Sequence, residues 1–365
     1  MGQSEHYFIG KCNSKSDDYG WDTLDAANFK VAKTKTGFKT TVICFGGNQT
    51  IKPRYINRLI MKVKNLIGIK EPITKNEIAT TNDVDFVGIA YGSGETVGHG
   101  KNQHISNTSA LTTEEVAELA MNIFTPLYMD GRGCILSKEQ MLKNFNQITF
   151  FSYCHGATEV DKIICQAQQN MIFYGIDKQT IDEVFGQIFS VSYAPERRVS
   201  CPGLQIISEK DLTLPSGPAR SCITNEFLDK RQLYRNNGGV GFENNYQGNG
   251  TVAFKEDNDT ISIIVTELTH NLTDEHDINL IARDDNWRIK GDNIAYSDEV
   301  SQAISVALSY SIARGIQNQK SDVFIPKLTV DEILQKVQSI LGKTQNEKFT
   351  NAVKTIQSEN AGLER

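Results

Sequence analysis

Residues 148–159 read ITFFSYCHGATE, and this stretch decides the fold class. Ile148 to Phe151 are β-branched or aromatic with no strand breaker, which predicts a short strand buried on both faces. The run stops at a turn of small and reactive residues, and a helical pattern follows. A strand, a tight turn and a helix in this order place side chains over the end of a sheet. They also direct the helix N-terminus at whatever binds there.

The turn and the first helical residues carry the candidate chemistry. His155 and Glu159 are four residues apart, so in a helix they share one face. We therefore predict a catalytic or ligand-binding role for His155, against the alternative of a packed histidine. For Glu159 the alternative is a solvated helix face. For Cys154 the alternative to a nucleophile is a small buried residue.

Strands and helices alternate on both sides of this stretch. Four further strands are predicted between residues 40 and 208, at Thr40–Phe45, Val84–Tyr91, Gln187–Ala194 and Leu204–Ser208. The alternation predicts a three-layer α/β fold with a mostly parallel sheet, in which working residues lie beyond the carboxyl ends of the strands. Later elements are predicted strands at Thr251–Phe254 and Thr260–Glu267 and helices at Val300–Ile316 and Val330–Ile356.

The same pattern divides the chain into four segments. Residues 1–38 are a lead-in with an edge strand near Phe29–Ala32. Residues 39–215 form the α/β catalytic core. Residues 216–325 continue the core with an Asn/Gly-rich loop and further strands, and residues 326–365 form a C-terminal helical segment.

Composition excludes several classes of function. The chain has 365 residues and a net charge of −6, which argues against a sequence-independent nucleic-acid surface. It has no apolar run long enough for a membrane span, and its N-terminus lacks the apolar core of a signal peptide. Seven cysteines without a CxxC pair fit a reducing compartment better than a disulfide framework or a zinc site. We therefore expect a cytoplasmic location in the producing cell.

The order of strands and turns resembles the α/β-hydrolase core. In that family a small-residue turn after an early strand offers an oxyanion hole, and a G-x-S-x-G elbow presents the nucleophile. Phe45-Gly46-Gly47-Asn48 matches the first, and Ser152-Tyr153-Cys154-His155-Gly156 matches the second with Ser152 in place of the first glycine. The resemblance implies hydrolysis of an ester or thioester by Cys154, Asp211 and His270, with His276 as the alternative base.

The same turn also resembles a second family. A group of bacterial secreted effectors and toxins carries a Ser…His-x-x-x-Glu signature and transfers AMP from ATP, in some members only when host actin is present. Here His155-Gly156-Ala157-Thr158-Glu159 matches the HxxxE part. The serine is Ser109 in our preferred assignment, with Ser106 and Ser93 as alternatives in the same loop.

The AMP-transferase resemblance is our first hypothesis for function, and it implies ATP and Mg²⁺. It implies catalytic roles for His155, Glu159 and Ser109. It implies nucleotide binding by five residues, Gly46, Gly47, Asn48, Ser93 and Gly156. The implied partners are a protein substrate and host actin as activator, after secretion into a host cytosol. A third, non-enzymatic hypothesis is a hydrolase-like scaffold that binds a partner through the Asn236–Gly250 loop.

Overall fold

A nine-stranded sheet forms the middle layer of the molecule. The computed structural model describes residues 7–12, 21–24, 30–34, 37–47, 56, 59–60, 63–64, 66–67, 84–91, 96–97, 104–105, 110–195, 197–208, 251–256, 260–265 and 298–341. The strands of this sheet are β1 (Tyr7–Cys12), β2 (Trp21–Leu24), β3 (Thr40–Phe45), β4 (Val84–Tyr91), β7 (Ile148–Tyr153), β8 (Phe189–Tyr193), β9 (Gly203–Ser208), β10 (Thr251–Glu256) and β11 (Thr260–Val265). A separate two-stranded sheet pairs β5 (Thr96–Val97) with β6 (His104–Ile105).

Six strands in the middle of the large sheet run parallel. Their order is β11-β9-β8-β7-β3-β4, and antiparallel strands flank them as β10 at one edge and β1-β2 at the other. All six residues of β3 are buried, as expected of a parallel strand covered on both faces. The predicted three-layer, mostly parallel α/β fold is confirmed.

Helices cover both faces of the sheet. One hydrophobic cluster joins Ile43 and Phe45 to helices α1 (Thr113–Tyr128), α2 (Lys138–Phe145), α3 (Gly156–Phe173) and α4 (Lys178–Phe185). The other joins Val42 and Cys44 to α5 (Asp298–Lys320), α6 (Val330–Leu341) and helical residues between 56 and 66. Alternate residues of β3 therefore enter opposite cores, which is the period-two pattern of a strand.

Helix ends follow the capping residues in the sequence. Thr112 caps α1 in a capping box with Glu115. Ser137 caps α2 through the amide of Gln140. Gly175, with a φ of 80°, follows the end of α3, which is the usual place for a glycine in the left-handed conformation.

The N-terminal segment departs from the prediction. The predicted edge strand near Phe29–Ala32 is wrong, because residues 30–32 belong to no strand, and only an isolated bridge joins Lys33 to Phe38. The antiparallel edge is made instead by β1 and β2. These strands are short and interrupted by Gly10, Lys11 and Asp22, so no apolar run marks them in the sequence.

Two other differences concern short elements. Helix α4 was not predicted, because it has eight residues and its start is marked only by the cap Asp177. The glycines that follow β4 in the sequence are typical of a loop, but this segment contains β5. Residues Asn279–Ala282, where the sequence also allows a strand, lie outside the described residues, as does the part of the predicted Val330–Ile356 helix beyond Leu341.

The β8–β9 connection, residues 194–202, is short for a parallel crossover. Asp161 of α3 holds it in place and is almost fully buried. Its Oδ1 accepts hydrogen bonds from Ser200 N at 2.9 Å and Ser200 Oγ at 2.6 Å, and its Oδ2 lies 2.9 Å from Arg197 Nε. The next residue, Arg198, donates from Nε to Thr260 Oγ1 at 3.0 Å. None of the helices in the described part of the chain is long and apolar enough to cross a membrane.

Candidate functional site

The carboxyl ends of the neighbouring strands β3 and β7 lie side by side at the middle of the sheet. The chain leaves β3 toward the helical residues between 56 and 66, on one face, and it leaves β7 toward α3, on the other face. Ligand crevices of open α/β sheets form where neighbouring connections leave to opposite faces. Residues 46–47 and 153–156 lie at this point, so they define the candidate site.

The turn after β7 has a strained backbone. Cys154 has a φ of 53°, a left-handed value that non-glycine residues rarely adopt. Its amide donates to the carbonyl of Tyr193 at 2.9 Å, which ties the turn to the end of β8. Such conformations persist only where the surroundings impose them, and they concentrate at functional sites. The strand–turn–helix junction predicted from the sequence is therefore present, with Cys154 at its apex.

Two glycines allow the loop after β3 to close onto this turn. A Cβ on Gly47 would lie 2.9 Å from the Cβ of Cys154. A Cβ on Gly156 would lie 2.7 Å from the carbonyl oxygen of Gly46 and 2.8 Å from that of Phe45. Both contacts are closer than real Cβ atoms make, so only glycine fits. Gly47 and Gly156, which were predicted to bind nucleotide, thus allow the loop after β3 and the turn after β7 to come into contact.

His155 and Glu159 meet on the first turns of α3. His155 Nε2 lies 2.8 Å from Glu159 Oε1, and the Glu159 side chain is fully buried. The ring N–H is not aligned with this oxygen well enough for a hydrogen bond, so the contact is electrostatic in this geometry. Catalytic contacts of this kind often tighten only when substrate binds. Because a carboxylate only accepts, a hydrogen bond formed in this pair on tightening would place the His155 proton on Nε2 and make Nδ1 the basic nitrogen.

Glu159 has a second cationic partner. Lys162 Nζ lies 2.9 Å from the same oxygen, Oε1, whereas Oε2 is buried and accepts no hydrogen bond from the described residues. A buried carboxylate oxygen with no donor is costly and calls for a reason beyond packing. The alternative of a solvated helix face for Glu159 is wrong.

Tyr91, the last residue of β4, completes the described wall of the site. Its hydroxyl donates to the carbonyl oxygen of Gly46 at 2.6 Å, and its ring centroid lies 6.3 Å from that of His155. The hydrogen bond turns the Gly46 carbonyl toward Tyr91 and fixes the loop after β3. The imidazole of His155 therefore lies between a fixed aromatic ring and a buried carboxylate.

No protein-family model matches the chain, and no curated protein is detectably similar to it in sequence. Among the described residues, no three His, Cys, Asp or Glu side chains are grouped to hold a metal ion. Function is therefore inferred from the residues at this edge of the sheet.

The structure brings together all predicted site residues that it describes, which are Gly46, Gly47, Cys154, His155, Gly156 and Glu159. The others lie outside the described residues, namely Asn48, Ser93, Ser106, Ser109, Asp211, His270 and His276. Cys154 is 7% exposed, so it is also the small buried residue of the alternative reading. Cys134, expected in the core, is exposed.

Sequence reasoning missed two residues of the site. Lys162 had a usable signal, because it lies three residues after Glu159 and side chains at that spacing meet on a helix. Tyr91 had a weaker one, as the final residue of a predicted strand next to β3. Its contact with His155 depends on the order of strands in the sheet, which spacing along the chain does not give.

Proposed function

We propose that the chain is an effector- or toxin-like nucleotidyltransferase that moves AMP from Mg²⁺–ATP to a protein or phosphoryl acceptor. The observation that carries this proposal is the contact between His155 and the fully buried Glu159 at the turn after β7. A buried acid that orients a histidine is the arrangement that general-base catalysis needs. It lies where connections leave the sheet to opposite faces, the position at which α/β sheets bind their ligands.

In the proposed reaction His155 Nδ1 takes the proton of the acceptor hydroxyl. The acceptor oxygen forms a bond to the α-phosphorus of ATP, the bond from that phosphorus to the bridging oxygen breaks, and pyrophosphate leaves. Glu159 holds the imidazole in the required tautomer and stabilises the imidazolium that forms. Mg²⁺ enters with the nucleotide as part of the substrate and is held by phosphate oxygens.

The turn supplies a second contribution. Gly156 begins α3, and the first turn of a helix carries partial positive charge. The amides of Ala157 and Thr158 already donate to the carbonyl oxygens of Cys154 and His155, so this charge is what the turn offers to a phosphate. Phosphate oxygens bind favourably at such a position. Ser109 is the proposed serine of the motif, with Ser93 or Ser106 as alternatives, and host actin is the proposed activator.

A second candidate, a thiol α/β hydrolase, is favoured by one specific observation. Cys154 has the position of the nucleophile in an elbow after a central strand, together with a φ of 53°. Gly47 of the adjacent loop approaches its Cβ closely. In this reading Asp211 and His270, or His276, supply the acid and base, and the thiol attacks an ester or thioester carbonyl.

Release of pyrophosphate from ATP–Mg²⁺, together with transfer of the α-phosphate label of ATP to an acceptor, tests the first proposal. We call this readout, in which AMP leaves ATP for the acceptor, AMP release. The wild-type protein and the His155→Ala variant are compared with and without eukaryotic cytosol or purified actin. We expect release by the wild type, dependence on cytosol or actin, and loss of release in the variant. Absence of release under every condition, together with Cys154-dependent turnover of esters or thioesters, would instead establish the hydrolase.

A further inference from the structure

We infer that Lys162 is a positioning residue that keeps His155 neutral and able to accept a proton, by supplying the positive charge that buried Glu159 requires. The kinetic part of this inference rests on the proposed AMP transfer. Its electrostatic part concerns only three side chains of α3 and is measurable without any substrate.

The geometry gives Glu159 two candidates for its countercharge. His155 Nε2 and Lys162 Nζ lie 2.8 Å and 2.9 Å from the same carboxylate oxygen. A fully buried carboxylate stays ionised only when a cation or several donors compensate it. Its other oxygen receives no hydrogen bond in the described structure, so compensation falls on the groups at Oε1.

Of the two cations, Lys162 loses less hydration free energy when it pairs with Glu159. Its side chain is 37% exposed, so the ammonium keeps contact with water while it touches Glu159. The His155 side chain is 16% exposed and would lose more hydration if it were charged. An ammonium also holds its proton far more tightly than an imidazolium does. The pair Glu159–Lys162 is therefore complete with His155 neutral.

Among the described residues, the groups that face His155 from other elements and that the contacts identify do not replace this charge. Tyr91 of β4 presents its ring, and its hydroxyl is bonded to Gly46. Cys154 precedes His155 in the turn. Asp161, the other buried acid of α3, is compensated by Arg197 and by Ser200. Among the described residues, Lys162 is thus the cation that reaches Glu159 other than His155 itself.

Without the Lys162 charge, a protonated His155 should become the countercharge of Glu159. Glu159 would then hold a proton on the imidazole, and the histidine could accept one from an acceptor only at higher pH. Charges this close interact strongly in a partly desolvated site, and the exposure of Lys162 reduces the effect. We expect the titration of His155 to move upward by about one pH unit.

The test compares Lys162→Met and Lys162→Gln with Lys162→Arg, which keeps the charge. The glutamine variant retains a donor for Glu159, so it serves if the methionine variant does not fold. Lys138→Met is the matched control, because Lys138 pairs with Glu183 on α4 and does not contact Glu159. The first readout is the NMR titration of the His155 imidazole, assigned among the six histidines by its loss in His155→Ala. The second is the pH profile of kcat and KM for AMP release.

We expect both neutral variants to raise the His155 midpoint and the acid limb of the profile together, while Lys162→Arg and Lys138→Met leave both in place. An unmoved His155 midpoint in the neutral variants would overturn the inference, whether or not AMP is released. So would a higher KM for ATP with an unmoved profile, which would make Lys162 a phosphate ligand. A shifted midpoint in a protein that never releases AMP would uphold the electrostatic role and refute the proposed function.

Discussion

At the scale of single residues, the buried carboxylate of Glu159 is what distinguishes this site from a packed helix N-terminus. A surface glutamate at this spacing would contribute little, since exposed pairs add only tenths of a kcal/mol to about 1 kcal/mol. Here the side chain is fully buried and contacts His155 and Lys162 through one oxygen. The sequence predicted which residues share the face, but burial depended on how α3 packs on the sheet.

Glu159→Gln tests the role of the charge with almost no change in volume. The amide cannot stabilise an imidazolium, so we expect AMP release to fall about 10- to 100-fold while the protein remains folded. Glu183→Gln is the control, because Glu183 makes a similar ion pair with Lys138 on the surface. Equal rates for Glu159→Gln and the wild type would remove Glu159 from the mechanism.

At the scale of elements, the loop after β3 and the turn after β7 form one unit. Their contact depends on Gly156, where an added Cβ would press against two backbone carbonyl oxygens. We expect Gly156→Ala to lower the free energy of unfolding by about 1–3 kcal/mol and to reduce activity, because backbone atoms cannot move aside as side chains do. Urea unfolding measures the first effect and AMP release the second.

Gly131→Ala is the control for this change, because an added Cβ at Gly131 meets nothing within 4 Å. It should leave stability within about 0.5 kcal/mol of the wild type. A Gly156→Ala protein as stable and active as Gly131→Ala would show that the two loops do not need their close approach.

At the same scale, Asp161 links α3 to the β8–β9 crossover. Asp161→Ala leaves the amide and hydroxyl of Ser200 and the guanidinium of Arg197 without their acceptor. We expect a loss of about 2–3 kcal/mol in the free energy of unfolding, discounted for the exposure of Arg197. Asp182→Ala, at an exposed position of α4, should change stability by less than about 0.5 kcal/mol. Similar unfolding curves for the two variants would contradict this account of the crossover.

At the scale of the whole molecule, the C-terminal helices are part of the core rather than an appendage. Lys327, in the segment between α5 and α6, donates to the carbonyl oxygen of Ile148 at 2.9 Å and to Ser311 Oγ at 3.0 Å. Burial lowers the pKa of Lys327 from 10.5 to about 7, and the nearby Cys201 offsets part of this shift. The amine thus joins the start of β7 to α5 at the edge opposite the site.

This lysine should make stability depend on pH in a defined direction. Between about pH 7 and 10.5 the unfolded chain binds the proton and the folded chain does not, so the free energy of unfolding rises with pH. Below about pH 7 both states are protonated and the penalty of the buried charge is present in full. Against Lys327→Met, wild-type stability should gain up to about 1.4 kcal/mol per pH unit in this window. Parallel stability curves for the two proteins would rule this out.

The central strands and the spacing of the site residues could be predicted from the sequence, whereas the edge strands and the contacts between elements could not. The central strands were predictable because β3, β4 and β7 are buried on both faces and read as apolar runs. The edge strands β1 and β2 were not, because their sequences carry no such run. Within the site the HxxxE spacing and the two glycines were predictable, whereas the contact of Tyr91 with His155 required the strand order.

The most direct measurement of the central claim is AMP release by Cys154→Ala and His155→Ala, with wild type as reference and the activator present. Alanine retains the Cβ of Cys154 and removes only the thiol, so the substitution should leave the backbone of the turn at φ 53° as it is. The AMP-transferase account predicts near-normal release by Cys154→Ala and loss of at least about 10²-fold in His155→Ala. The reverse pattern, with release unaffected by His155→Ala, or ester turnover and thiol-probe labelling abolished by Cys154→Ala, would contradict it.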